Sequence, residues 1–258
     1  MSDSALTKDF TVRQEYLLRL ADNCLILGQR LGEWCGHGPV LEQDIALTNI
    51  ALDLIGQARS WLTCVGRTFS PVRSEDEMAF LRDAWDFRNL LLVEQPNGDF
   101  AHTITRQFFF DAFHFLQLQG LQDSQDEEVA AIAAKSLKEV TYHLRYSSEW
   151  MIRLGDGTRE SHERMQTAVH DLWMYTGEML DTDQVDKIAH QRGLGIQPAD
   201  LEEAWHARVD EILREATLKK PDQDWMQSGG KQGRHSEHMG FILSDMQFLQ
   251  RAYPGMTW

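Results

Sequence analysis

Between Val12 and Cys35 the apolar residues Leu17, Leu20, Cys24, Leu27, Leu31 and Trp34 recur every three or four positions, the period of an α-helix. No stretch of the chain alternates with period two for long enough to propose a strand. A chain with this pattern has to build its core from helices. GHGP, Gly36 to Pro39, breaks the first run, because Pro lacks a donor and restricts the residue before it. A second helix is expected from Val40 to Val65, with Leu47, Ile50, Leu54, Ala58, Trp61 and Val65 on one face and Leu41, Ile45, Leu52 and Ile55 on another. Apolar residues on two sides imply burial on two sides.

A shorter helix is read over Ser74 to Leu92, closed by EQPNGD, whose Pro-Asn-Gly is a strong turn signal. Long helices follow over Asp99 to Leu121 and Asp126 to Leu154, with DSQD between them offering Ser124 or Asp126 as an N-cap. Further helices are expected near Arg159 to Met179, Thr182 to Gln191, Pro198 to Lys219 and Gly240 to Ala252. Four long helices joined by short turns, with one inserted helix, suit a four-helix bundle with extra helices around it. GGKQG near residue 230 is too short to separate domains, so a single domain over 1–258 is expected, with residues 1–11 disordered.

Twenty-five basic against 40 acidic residues give a net charge of −15, which repels a polyanion and argues against nucleic acid as a partner. Cys24, Cys35 and Cys64 are odd in number, lack CxxC spacing and lie in or beside apolar runs, so they read as reduced core thiols of a cytoplasmic protein. The first ten residues lack the features of a signal peptide, and no run of about 18 apolar residues is present to span a bilayer. A mature, soluble chain is expected.

Bundles that hold two iron ions take one Glu from each of two helices and Glu-x-x-His from each of the other two. The second helix reads DLIGQAR and presents Leu54 and Gln57 where that motif would fall. The first helix has Asn23 and Cys24 where its Glu would be. The fourth long helix offers Glu139, followed by Tyr142 at three residues and His143 at four, a motif slipped by one. The third offers Asp111 and His114, and Asp111 falls on a stripe that should be buried. Two readings of this half-site stand. Either Asp111, His114, Glu139 and His143 keep an altered metal centre, or they are satisfied structural residues, with Lys135 or Lys138 supplying positive charge where iron would sit. The loop QSGGKQGRHSEHMG lacks the GK[ST] ending of a phosphate cradle and reads as a mobile or partner-contacting loop. His235 and His238 within it lack further donors for zinc.

The segments LADNCLILGQRLGEWCGHGPVLEQDIALTNIALDLIGQAR, NLLLVEQPNGDFAHTITRQFFFDAFH, AAKSLKEVTYHLRYSSEWMIRLGDGT and GGKQGRHSEHMGFILSDMQFLQRAYPGMTW resemble the structural C subunits of bacterial phenylacetyl-CoA epoxidases, multicomponent monooxygenases of aerobic phenylacetate degradation. The resemblance covers nearly the whole chain after about residue 15. It implies a ferritin-like four-helix bundle with flanking helices and no active site or cofactor of its own. It also implies pairing with a catalytic A subunit that carries di-iron, a small B subunit that bridges such pairs, and a reductase subunit that acts indirectly. Asn23, Leu54, Gln57, Asp111, His114, Glu139, Tyr142 and His143 then become positions of a degenerate metal site. The chain alone is expected to be a homodimer. The alternative reading is a free-standing di-metal carboxylate oxidase with an unusual ligand set, and a third is a helical binding module without oxygenase kin.

Overall fold

The computed structural model describes residues 11–223 and 225–256, so all but the last residue of the segment expected to be disordered lies outside it. Thr11 is ordered and caps the first helix, its side chain accepting from Gln14 N–H. The described residues are helical, with no strand among them. The α-helices are α1 (Val12–Gly32), α2 (Leu41–Gly66), α3 (Glu75–Phe80), α4 (Phe100–Leu121), α5 (Glu127–Gly155), α6 (Arg159–Trp173), α7 (Gly177–Leu180), α8 (Gln184–Gln191), α9 (Glu202–Glu215) and α10 (His238–Ala252). They fall into two compact units. One joins the described residues up to Glu94 with those from Gly229 onward, and the other comprises the described residues of Gln95–Ser228.

In the first unit α1 and α2 fold back on each other, and α3 and α10 pack beside them. From Tyr16 to Gly28 every residue of α1 is buried, including Arg19, Asp22 and Asn23. Such polar groups need partners, and a segment without regular structure supplies several. The helix expected over Ser74 to Leu92 is not continuous. α3 ends at Phe80, a short 3-10 turn covers Ala84–Asp86, and residues 87–94 run on as buried, non-helical chain. The reason lies in side chains that replace the helical ladder. Arg82 turns its Nε back onto the Met78 carbonyl and its guanidinium onto Asp22. Asp22 Oδ2 also accepts from Arg88 N–H at 2.8 Å, and Asn23 Oδ1 accepts from Leu90 N–H at 2.8 Å. Arg30 donates to the Glu94 carbonyl at 2.9 and 3.1 Å. The polar residues of α1 thus hold the backbone of an apolar strip, Leu90 to Val93, inside the unit.

The loop before α10, expected to be mobile or partner-contacting, is tied down within its unit. Glu94, fully buried, accepts from Ser236 N–H and Asn89 Nδ2, and its carboxylate lies 2.8 Å from His235 Nδ1. Gly233 sits at φ +76° with Trp85 O only 2.4 Å from where a Cβ would stand, so no other residue fits that turn.

In the second unit α4 and α5 fold back on each other, with α6 and α9 packed on both. Asp126 caps α5 by accepting from Glu128 and Val129 N–H. Gly98 in the Pro-Asn-Gly turn takes φ +56°, as the turn signal requires. Phe109, Trp173 and Trp205 form an aromatic cluster with centroids 5.7 to 6.1 Å apart, and Trp205 Nε1 donates to the Phe109 carbonyl. The run expected as one helix to Met179 breaks after Trp173, and that expected from Pro198 to Lys219 starts as a 3-10 turn and ends at Glu215. Cys24 and Cys64 are buried thiols as expected, whereas Cys35, in the turn after α1, is exposed.

Because Asp22 and Arg82 are both removed from water, losing one partner leaves a buried charge. Arg82→Met is expected to lower unfolding free energy by about 3 to 5 kcal/mol in urea denaturation. Pairing it with Asp22→Asn, which keeps an acceptor for Arg88 N–H, should recover part of that loss. A change under about 1 kcal/mol for Arg82→Met would mean the pair behaves like a surface ion pair.

Candidate functional site

The sequence-predicted positions divide between the two units, and each half has its own chemistry. In the first unit Asn23, Leu54 and Gln57 are all buried. Leu54 brings no donor atom. Asn23 has its carbonyl oxygen engaged by Leu90 N–H. Gln57 lies against α1, its Oε1 accepting from the Cys24 thiol at 3.7 Å. These are amide groups used to join backbone and helices. A cation of the iron type needs carboxylates and imidazoles, so this half does not fit it.

In the second unit Asp111 of α4 is fully buried. Its Oδ1 accepts from Gln107 Nε2 at 2.7 Å, and its Oδ2 from Ser147 Oγ at 2.8 Å. Loss of water pushes its carboxyl up to about 7, against a smaller opposite pull from His143 and from these two hydrogen bonds. His114 is also buried, its ring 5.0 Å from that of Phe110, and burial drives it down to about 3, so it stays neutral. His143 is buried on the same side of α5 as Ser147.

Tyr142 faces elsewhere, while Glu139, four residues before His143, lies about 40° from it around the helix. Helix geometry places residue 142 roughly 100° from 143, and roughly 140° from 147. Tyr142 is 41% exposed and Glu139 half-buried, while Val140, His143 and Ser147 turn inward. The slip of the motif by one residue puts Val140 where the Glu of Glu-x-x-His would stand before His143. The expected cation at this site is corrected too. Lys135 and Lys138 are both exposed, and Asp111 is instead held by the neutral donors Gln107 and Ser147 together with His143.

Both oxygens of Asp111 thus already have donors. Among the described residues no group of three or more His, Cys, Asp or Glu side chains gathers in a way that could hold a metal ion. The residues of neither half match the donor set of a di-iron centre.

Sequence reasoning missed two polar clusters that organise the first unit, Asp22 with Arg82 and Glu94 with His235. Their members are 60 and 141 residues apart, so no local spacing could have announced them. A trace of them was the presence of Asp22 and Asn23 inside a largely apolar helical run.

The architecture defines a class, the all-α proteins of ferritin-like fold. Within it the chain belongs to the phenylacetic acid catabolic protein family, whose model matches residues 2–258. It is similar to the C subunit of the 1,2-phenylacetyl-CoA epoxidase of Escherichia coli (strain K12), with 50% identity over 243 residues, which are 94% of this chain and 98% of that protein. Among the described residues no helix is long and apolar enough to cross a membrane.

Asp111 gives the second unit a pH signature. A carboxyl raised in the folded state binds its proton more tightly there than in the unfolded chain, so its contribution to stability is complete below about 4 and disappears as pH rises through about 7. His114 works in the opposite sense, since a depressed imidazole destabilises the fold as pH falls from 6.5 towards 3. Asp111→Asn removes the first effect alone. The stability of this variant minus that of the unsubstituted chain is expected to rise steadily between pH 4 and 7, by up to a few kcal/mol. Urea midpoints across that range check it, and a pH-independent difference would contradict the assignment.

Proposed function

We propose that this chain is a non-catalytic, structural subunit of a phenylacetyl-CoA 1,2-epoxidase assembly, pairing in the cytoplasm with the di-iron catalytic subunit. The observation that carries the reading is the pair Leu54 and Gln57 in buried positions of α2, where a metal-holding helix needs Glu-x-x-His. Asn23 and Asp111, already engaged by other groups of the chain, support it. The likeness to an epoxidase component over nearly the full length of both proteins supports the choice of assembly.

An outward apolar surface supports a role in association. The second face of α2, for which the sequence demanded burial, is not covered within this chain. Val40, Leu41, Ile45 and Leu52 are exposed, Leu41 by 71% and Leu52 by 61%, and Ile55 is half-buried. Leaving such a row in water is unfavourable by roughly 25 cal/mol per Å². A partner bundle relieves that, in interfaces that for obligate pairs exceed about 2,000 Å². In this reading the isolated chain covers the same row by forming a homodimer.

Co-expression with the catalytic subunit tests the proposal. The two are expected to co-purify in fixed ratio, and epoxidation of phenylacetyl-CoA should require both. Ile45→Glu with Leu52→Glu, which places charges in the outward row, is expected to weaken association at least tenfold while preserving the helical circular dichroism of the chain. Full epoxidation by the catalytic subunit without this chain would refute the structural role.

A further inference from the structure

The outer side of α5 carries a feature at odds with the rest of the chain. Lys135, Lys138, Tyr142, Arg145, Glu149 and Arg153 are all exposed and follow one another at spacings of three and four. At roughly 100° per residue they fall within an arc of about 80°, opposite the buried stripe of Ala133, Ser136, Val140, Ser147 and Met151. The stripe from Lys135 to Arg153 is about 27 Å long. In a chain with 40 acidic and 25 basic residues, this one arc holds four cations and a single acid, Glu149, with Glu139 half-buried at its edge.

None of the four cations makes an ion pair among the described residues. Arg145 instead lies over the Tyr142 ring at 5.6 Å, and Arg153 over the Trp150 ring at 5.5 Å. The neighbouring helix treats its basic residues differently: Arg159 pairs with Glu163, and Arg164 with Glu160. Acids abound in the sequence, so a helix face left without them presents its charge to something outside. These ring contacts leave the guanidinium N–H groups free to donate.

We propose that the outer face of α5 is a docking surface for an acidic protein surface belonging to another component of the oxygenase assembly. The proposal deepens the structural-subunit reading and rests on it. A protein partner is favoured over a small anion because the cations are spread along five turns of helix rather than converging on one point. It is favoured over nucleic acid because the net charge of −15 repels a polyanion over most of the surface. A second copy of this chain is disfavoured because the same basic stripe would face itself across a two-fold axis. Charge complementarity of this kind sets the rate and register of encounter and weakens with salt.

The test uses the full chain with the separately purified catalytic, small and reductase subunits, binding being measured by interferometry at low and at high salt. The triple variant Lys135→Glu/Lys138→Glu/Arg145→Glu keeps strong helix formers at exposed positions and should retain its melting temperature. It is expected to lose at least tenfold in affinity for one of the three components at low salt, with the gap narrowing at high salt. Lys187→Glu/Arg192→Glu, exposed elsewhere in the second unit, should change nothing. Lys138→Gln alone, expected to show a loss of about threefold, serves if the triple variant melts early. If the unsubstituted chain binds its partners and both α5 variants bind them equally well, the docking assignment fails and the assembly reading survives. If the unsubstituted chain binds none of the three, both fall. Loss of affinity for a DNA duplex alone, or for a second copy of the chain alone, would overturn the choice of partner.

Discussion

The interior of this protein is organised around buried polar side chains that find partners within the chain. A carboxylate removed from water is stable only if it is neutralised, or if charge and hydrogen bonds compensate it. Asp22 meets that demand with the Arg82 guanidinium and a backbone N–H. Asp111 meets it with Gln107, Ser147 and the nearby His143, and by holding its proton up to about pH 7. Glu94 meets it with Asn89, Ser236 and His235. The three solutions differ, yet each commits the acid's acceptor capacity to the protein itself.

In α1 the same demand shapes a whole helix. A helix buried on every side from Tyr16 to Gly28 would usually be apolar throughout. Here Asp22, Asn23 and Arg30 reach the backbone of residues 88–94 and hold an irregular segment in the interior. Ordering that segment lets Leu90, Leu91, Leu92 and Val93 be buried without a helix of their own. Asn23, expected as a position of the degenerate metal site, joins α1 to the backbone at Leu90.

Much of the fold was legible from spacing alone. The boundaries of α1, α2, α4 and α5 follow from apolar periodicity, GHGP, PNG and DSQD, because long amphipathic helices with local punctuation are decided by local physics. The run after Ser74 was misread because Met78, Phe80, Leu81, Trp85 and Leu90 keep a helical rhythm while the interactions that break the helix come from α1, some 60 residues earlier. The absence of Glu and His at Leu54 and Gln57 was visible directly, since it depends on residue identity. The cation expected near Asp111 was not there, because Lys135 and Lys138 fall on the outward arc of α5 and a fully buried carboxylate can be served by neutral donors. The anchoring of the loop before α10 depended on Glu94, 141 residues from its partner His235, and could be seen only in three dimensions.

The central claim is that the buried acids Asp22, Glu94 and Asp111 are already committed to partners within the chain rather than to a pair of cations. Iron and manganese quantification on the chain purified alone from metal-supplemented cells, after removal of loosely held ions, tests it most directly. The expected result is metal far below one ion per chain, unchanged by Asp111→Asn. Two ions per chain, lost in that variant, would contradict it.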